Sequence, residues 1–250
     1  MRILALDTTA KAASVALWQD GRVEAYSFAE NAKTHSELLL PMAEALCKSL
    51  SVPIGEIDYY AVTVGPGSFT GVRIGVCVAK GLAFRFPKTE KKNCVAVSAL
   101  EAIAQNLVGL DGIYLPVMDA KRAEVYNAVF CMKGGVLTRL SPDRAISLKA
   151  LGEELSSLYP DTPIRLCGDG YAVARAALEK YPLILPETPL LLRSQNAASV
   201  ALCAERAIAR GEAVSDEALM PVYLRVPQAE RERLLREAEK NAQKPSITQP

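Results

Sequence analysis

Histidine is nearly absent from this sequence, and its scarcity excludes several common kinds of catalytic site. The only histidine among the 250 residues is His35. A zinc protease helix needs two histidines at helical spacing, and His35 has no second histidine to pair with. A serine hydrolase triad would have to use His35, and no GxSxG segment accompanies it. The sequence therefore predicts no catalytic residues and no metal ligands for conventional hydrolysis.

Long apolar runs and paired cysteines are missing as well. Half of the residues are apolar, but no uninterrupted run approaches the roughly 18–20 residues of a membrane span. The opening MRILALDTT meets its first acidic residue after only four apolar ones, which is not typical of a signal peptide. The six cysteines lie at least 17 residues apart, as expected for core cysteines in a reducing compartment. We expect a cytoplasmic protein with no membrane partner.

A strong net charge is the third absence. The chain carries 29 Lys+Arg against 28 Asp+Glu, and residues 1–109 carry 11 against 10, which leaves 18 of each for the remainder. Neither half has the basic excess with which an autonomous nucleic-acid binder neutralises phosphates. The charge balance therefore argues against autonomous binding of nucleic acid.

The order of predicted elements repeats along the chain. A strand ending at Asp7 leads into a hairpin at Asp20-Gly21, and a strand ending at Asp119 leads into a turn at Gly134-Gly135. Each set of three strands then continues into a helix, a strand and another helix. The pattern predicts an α/β protein made of two duplicated halves, residues 1–109 and 110–225. The polar residues 226–250 are predicted to form a tail that is disordered or extends a helix.

Two details of these elements are specific enough to test. Thr34 and Glu37 have capping-box spacing and should begin a helix that runs to about Leu50, with Pro41 bending or interrupting its first turns. Residues 124–130 are predicted to form one continuous strand.

The glycine-rich loop between a predicted strand and helix is the most informative segment. Its glycines and hydroxyls, at a helix N-terminus, are typical of a phosphate-binding loop. The loop fails the Walker A test because no Lys-Ser/Thr follows, and it misses GxGxxG by one step. The alternative is a tight turn that feeds a closely packed helix. The candidate residues are Gly65, Gly67, Ser68, Thr70 and Gly71.

A second candidate is Asp7-Thr8-Thr9, at the end of the first strand. The Asp7 carboxylate could hold Mg²⁺-bound phosphate, and the Thr8 and Thr9 hydroxyls could contact oxygens. The alternative is a turn in which Asp7 satisfies its own backbone. The turn at Gly168-Asp-Gly170 is a weaker candidate of the same kind.

The helix after the glycine loop carries small residues at every fourth position. A row of this kind permits close helix–helix approach, which could be internal or between chains. The other faces carry valine and isoleucine and leave little for water, so we favour a subunit interface. His35 is expected at the surface or in the capping turn, with partner contact as the alternative. The predicted partner-interface residues are Gly71, Gly75, Ala79, Ala83 and His35.

Several strings taken together resemble the bacterial TsaB family, also called YeaZ. They occur in family order from about Ile3 to Arg225, and GPGSFTGxRxG is the most specific of them. The resemblance implies the fold of the actin-like ATPase superfamily (ASKHA), with two ribonuclease-H-like halves in which helices flank mixed sheets. The strings are ILALDTT, THSELLLP, AVTVGPGSFTGVRIG, PVMDAKRAEVY, CGDGY and PVYLR.

The resemblance also implies a function. The family acts in the modification of tRNA to threonylcarbamoyladenosine beside the anticodon. Its members pair with a catalytic paralogue, TsaD, and are joined by a small ATPase, TsaE, while TsaC makes the threonylcarbamoyl-adenylate intermediate. The expectation is a non-catalytic scaffold that forms a heterodimer with TsaD, or a homodimer alone. The alternative is an ATP-dependent phosphotransferase or ATPase of the actin-like superfamily.

Departures from the catalytic pattern favour the scaffold. The resemblance implies that the paralogue carries a histidine pair on its N-terminal helix, where this chain has only His35. Actin-like ATPases usually place a second Asp-Gly-Gly phosphate loop in the C-terminal half, and here the equivalent turn is Asp119-Ala120-Lys121-Arg122. No cofactor is expected to be required, although residual binding of ATP or ADP with Mg²⁺ remains open.

Overall fold

A computed structural model of the chain describes residues 1–30, 34–84, 93–107 and 109–225. The predicted tail, residues 226–250, lies outside the described residues. The polypeptide forms two sheets, each centred on a strand whose carboxyl end reaches a shared cleft.

The first sheet has five strands in the order β3-β2-β1-β4-β5. β2 runs antiparallel to both β1 and β3, whereas β4 runs parallel to both β1 and β5. Its strands are β1 (Arg2–Asp7), β2 (Ala13–Gln19), β3 (Arg22–Ala29), β4 (Tyr59–Gly65) and β5 (Cys94–Ser98). Its helices are α1 (His35–Ser49), α2 (Phe69–Ala83) and α3 (Ala99–Gln105), with a short 3₁₀ turn at Ile54–Glu56.

The second sheet is also built around a central strand with antiparallel and parallel neighbours. Its central strand β6 has two antiparallel partners, β7 and β8, and a parallel partner, β11. Its strands are β6 (Gly112–Asp119), β7 (Glu124–Asn127), β8 (Phe130–Lys133), β9 (Val136–Arg139), β10 (Arg144–Ser147) and β11 (Ile164–Cys167). Its helices are α4 (Leu148–Leu158) and α5 (Tyr171–Leu178), followed by a 3₁₀ turn at Leu190–Leu192 and helix α6 (Ala197–Ala209). The predicted α/β fold of two duplicated halves is confirmed.

Helix α6 follows the second sheet in the chain but packs on the first one. Ala197, Val200 and Ala204 are buried in one cluster with Ile3 and Ala16 of the first sheet. The Ser14 hydroxyl accepts a hydrogen bond from the Ala197 amide at 3.0 Å, which holds the start of α6 on β2. The division of the chain at residue 110 stays a prediction, and the packing of α6 crosses it.

Three local features of the structure differ from what the sequence led us to expect. The single strand expected over residues 124–130 is divided into β7 and β8, because Val129 bonds through both backbone groups to the turn at Leu140 and Ser141. Strand β10, which pairs antiparallel with β7, was not predicted from the sequence. Helix α1 continues through Pro41 without interruption.

The predicted capping box is present at the start of α1. The Thr34 amide donates to Glu37 Oε2 at 2.9 Å, and the Thr34 hydroxyl donates to the same oxygen at 2.7 Å. These bonds satisfy a donor that the first helical turn leaves free.

Candidate functional site

A cleft of about 480 Å³ lies between the two halves, where the central strands of both sheets end. Residues from the β1–β2 turn and the glycine loop line one side. The turn after β6 and the residue Asp169 line the other, and residues 222–225 close a third. The structure therefore brings together the two predicted phosphate-binding segments and the turn that begins at Asp119.

The Asp7 carboxylate lies beneath this cleft rather than in it. The residue is fully buried, and its Oδ1 accepts from the Thr9 amide at 2.8 Å and the Thr9 hydroxyl at 2.7 Å. Its Oδ2 and the Thr63 hydroxyl are buried without a hydrogen-bond partner among the described residues. Burial raises the pKa of Asp7, and the bonds from Thr9 oppose that rise. Asp7 thus behaves as a turn residue that satisfies its own backbone, the alternative left open by the sequence.

The Thr8 and Thr9 side chains are also engaged by their own chain. Thr8 donates its hydroxyl to the Gly71 carbonyl at 2.7 Å, and Thr9 bonds to Asp7. Both residues are buried, although Thr9 contributes to the wall of the cleft. Neither hydroxyl projects as a free ligand for a phosphate oxygen.

The glycine loop fits tightly over the turn formed by Thr8 and Thr9. The Ser68 amide donates to the Thr9 carbonyl at 2.7 Å, and the Ser68 hydroxyl accepts from the Gly71 amide at 3.2 Å. A Cβ on Gly67 would lie 2.4 Å from the Thr9 carbonyl oxygen. The absence of side chains here permits close backbone packing, and the Ser68 and Gly71 amides are both bonded within the chain. Thr70 is exposed on the first turn of α2.

The second half contains the same arrangement. A Cβ on Gly168 would lie 2.1 Å from the Val117 carbonyl oxygen, and one on Gly170 would lie 3.0 Å from the Asp119 amide nitrogen. Each parallel strand next to a central strand therefore ends in a glycine turn pressed against the end of that central strand. The weaker sequence candidate, Gly168-Asp-Gly170, is accounted for by this packing.

The turn after β6 has an unusual backbone. Lys121, Arg122 and Ala123 are consecutive non-glycine residues with positive φ angles of 65°, 58° and 58°. Left-handed residues of this kind cost roughly 1–2 kcal/mol each. Asp119 supports the turn by accepting from the Lys121 amide at 2.8 Å and from its ammonium at 2.6 Å. The carboxylate's bonds to Lys121 outweigh its partial burial and lower the pKa of Asp119.

Two cations that line the cleft differ from Lys121, because neither has a carboxylate partner among the described residues. Lys11 lies on the first half and Arg122 on the second, and both are exposed residues lining the cleft. Within the part of the chain that the structure describes, neither forms an ion pair. The sequence analysis did not single out Lys11, because a lone lysine in a hairpin connection has no distinguishing spacing.

The small-residue row on α2 faces the protein's own first sheet. Gly71, Gly75, Ala79 and Ala83 are all buried. A Cβ on Gly71 would lie 2.0 Å from the Thr8 carbonyl oxygen, and one on Gly75 would lie 2.7 Å from the Thr8 hydroxyl oxygen. The prediction that these four residues form a partner interface was wrong, because the close approach that they permit is to β1 and β4.

The opposite side of α2 is the exposed one. We call it the outward face of α2 and define it as Thr70, Arg73, Cys77, Gly81 and Phe84, the last being the residue after the helix. All five are exposed, and Phe84 is 56% exposed despite its size. A Cβ on Gly81 would meet nothing within 4 Å. The half-buried Ile74 and Val78 extend the apolar part of this face.

His35 is turned toward its own chain as well. It is the first residue of α1, and its Nε2 lies 2.8 Å from the Ala10 carbonyl oxygen. Its Nδ1 is buried with no hydrogen-bond partner among the described residues. The predicted contact between His35 and a partner is therefore replaced by an internal contact with the β1–β2 turn.

Metal clusters and membrane-spanning helices are both missing from the residues that the structure describes. No group of three or more His, Cys, Asp or Glu side chains there is arranged to hold a metal ion. No helix in that part is long and apolar enough to cross a membrane.

Comparison with known proteins identifies the family. Residues 29–233 match the family model described as TsaD, tRNA N6-adenosine threonylcarbamoyltransferase. The chain is 31% identical to the TsaB protein of Escherichia coli over 90% of its own length and 95% of that protein. The chain belongs to the TsaB family. The TsaB protein of Bacillus subtilis is 32% identical over 72% of this chain and 76% of its own.

Solved structures agree with this assignment. YeaZ from Pseudomonas aeruginosa has a TM-score of 0.71 and 30% identity, and the match covers 89% of this chain and 99% of that one. The curated TsaB relatives are named for tRNA threonylcarbamoyladenosine biosynthesis. The resemblance to the TsaB family drawn from the sequence is thereby confirmed.

Proposed function

We propose that this chain is a non-catalytic scaffold subunit for threonylcarbamoyl transfer to adenosine beside the anticodon of tRNA, and that it supports TsaD by pairing with it. Contact with tRNA then comes only through the complex that TsaE also joins. One observation carries the proposal: the groups that would bind phosphate or metal are bonded to their own chain. The Thr8 hydroxyl donates a hydrogen bond to the Gly71 carbonyl, and Asp7 is buried beneath the cleft.

The outward face of α2 is the surface that we assign to TsaD. It offers exposed apolar area at Phe84 and one cation, Arg73, on a helix whose inner side is anchored in the core. Exposed apolar area beside charged groups is typical of a protein–protein interface. The same face would form a homodimer when TsaD is absent, since an isologous contact uses one patch twice.

The test is reconstituted threonylcarbamoylation with purified TsaC, TsaD and TsaE. We expect the rate to depend on this chain and to tolerate Asp7→Asn and His35→Ala, since neither side chain reaches the cleft or the outward face. Circular dichroism of each variant establishes that it is folded. A folded Asp7→Asn chain that supports no modification would contradict the scaffold role.

A second candidate function is weak nucleotide binding in the cleft. It is favoured by Lys11 and Arg122, two exposed cations that line the cleft, one from each half. Phosphates of ATP or ADP would contact these side chains instead of the glycine loop. Calorimetry with ATP and Mg²⁺ should give at most weak binding that Arg122→Ala abolishes. Micromolar affinity, or ATP turnover reduced by Asp7→Ala, would support the alternative of an active phosphotransferase.

A further inference from the structure

Residues 222–225 connect the two halves of the molecule across the cleft. They follow the last described helix and line one side of the cleft before the described chain ends at Arg225. Their contacts with the first half come from Val222 and Tyr223, and their contacts with the second half come from Arg225. We call this segment the clasp.

The clasp binds the first half at the end of β4. The Val222 amide donates to the Val64 carbonyl at 2.7 Å. The next residue of β4, Gly65, has a φ of +122°, and a Cβ there would lie 2.5 Å from the Val222 carbonyl oxygen. Two constraints therefore require glycine at position 65. One is the positive φ angle, and the other is the close contact with the Val222 carbonyl of the clasp.

Tyr223 extends this contact onto α2. Its ring packs against the Phe69 ring with centroids 4.7 Å apart, and the Arg73 guanidinium lies 3.7 Å from the centroid of Phe69. Arg73 Nε also donates to the Tyr223 hydroxyl at 2.8 Å. Phe69 and Arg73 belong to the GPGSFTGVR string, so that string is in contact with the PVYLR string that ends the described chain.

Arg225 binds the second half at both ends of its left-handed turn. Its Nη1 donates to the Ala120 carbonyl at 2.7 Å and lies 2.9 Å from Glu124 Oε2. Lys121, Arg122 and Ala123 lie between these two contacts. A charged hydrogen bond to the carbonyl and an ion pair with Glu124 thus fasten the clasp to the strained turn.

We propose that the clasp sets the separation of the two halves, and that it binds to the Gly65–Phe69 loop and Arg73 of the first half. Detachment of the clasp opens the cleft and frees the turn at Lys121–Ala123. Because Arg73 lies on the outward face of α2 and also holds Tyr223, a partner bound to that face contacts the clasp directly. The partner surface and the cleft are thereby coupled through one side chain.

The test measures the distance between the halves by double electron–electron resonance. Spin labels are placed at Lys48→Cys on α1 and Glu153→Cys on α4, both exposed positions. Cys77→Ser and Cys131→Ser remove the two native cysteines that are not buried, and dilution with unlabelled protein suppresses signals between molecules. We expect Tyr223→Ala/Arg225→Ala to shift the distribution to longer and broader distances. The matched control is Arg210→Ala, which removes an exposed arginine paired only with nearby Glu212.

Two milder variants keep the proposal testable if the double variant does not fold. Tyr223→Phe removes the bond from Arg73, and Glu124→Gln removes the ion pair with Arg225, each with little change of shape. Each should broaden the distribution in the same direction by a smaller amount. A wild-type distribution in both folded variants would overturn the proposal and leave residues 222–225 as ordinary surface packing.

Discussion

The inner and outer sides of helix α2 each carry a glycine, and the surroundings of the two glycines are opposite. On the inner side, Gly75 lies against Thr8 and Val62, with no room for a Cβ. On the outer side, a Cβ on Gly81 would meet nothing within 4 Å. The comparison teaches that a row of small residues marks a close approach without saying what approaches. Here the first sheet occupies the inner side, and the outer side is the one that we propose for a partner.

The largest effect on stability is expected from a bulky substitution on the inner side of α2, where there is no room for a side chain. Gly75→Leu places a branched side chain where even a Cβ would lie 2.7 Å from the Thr8 hydroxyl oxygen and 3.1 Å from a Val62 methyl carbon. We expect a loss of about 3 kcal/mol or more of unfolding free energy. Urea denaturation followed by circular dichroism measures it. A stable Gly75→Leu chain that only fails to pair would restore the original assignment of this row to an interface.

The outer side should give the opposite combination of results. Gly81→Arg adds bulk into open space and replaces a helix glycine, so the isolated chain should gain up to about 1 kcal/mol of stability. The same change should lower the affinity for TsaD at least tenfold, which sedimentation or calorimetry would show. Gly81→Ala is the matched control and should keep pairing intact. Full affinity in Gly81→Arg would place the interface elsewhere.

The residues of α2 also show how much of the structure could be predicted from the sequence. Strand and helix order followed from periodicity and turn signals, and the capping box at Thr34 was correct in detail. Periodicity also grouped Gly71, Gly75, Ala79 and Ala83 on one side of α2. It could not show which side meets the sheet, because that depends on the long-range contact with Thr8. The clasp was invisible for the same reason, since Gly65 and Val222 are far apart in the chain.

A smaller effect is expected beneath the inner side, at Thr8. Its hydroxyl donates to the Gly71 carbonyl at 2.7 Å and is buried. Thr8→Val keeps the shape and removes this bond, which should cost about 1–3 kcal/mol of stability because the carbonyl loses its partner. Thermal unfolding compared with that of the exposed variant Thr70→Val isolates the effect. Equal melting temperatures for the two variants would show that the bond does not anchor α2.

The smallest effect concerns the charge of Asp7. Burial raises its pKa above the ordinary value of 3.8, so the folded chain binds the proton more tightly than the unfolded chain does. Ionised Asp7 therefore destabilises the fold, and this penalty grows as the pH rises from the unfolded pKa through the folded pKa. Asp7→Asn should raise the melting temperature at pH 7 by a few degrees and have less effect near pH 4. If Asp7→Asn instead lowered the melting temperature, and lowered it more at pH 7 than at pH 4, the sign of this effect would be contradicted.

The most direct test of the account uses a thiol that the outward face of α2 already carries. Cys77 is exposed there, whereas Cys131 is half-buried in the second half and serves as an internal reference. The measurement is the rate of alkylation of each thiol, followed by mass spectrometry with and without saturating TsaD. We predict that TsaD slows alkylation of Cys77 at least tenfold and leaves Cys131 unchanged. An unchanged rate at Cys77 in the assembled complex would contradict the assignment of this face to the partner.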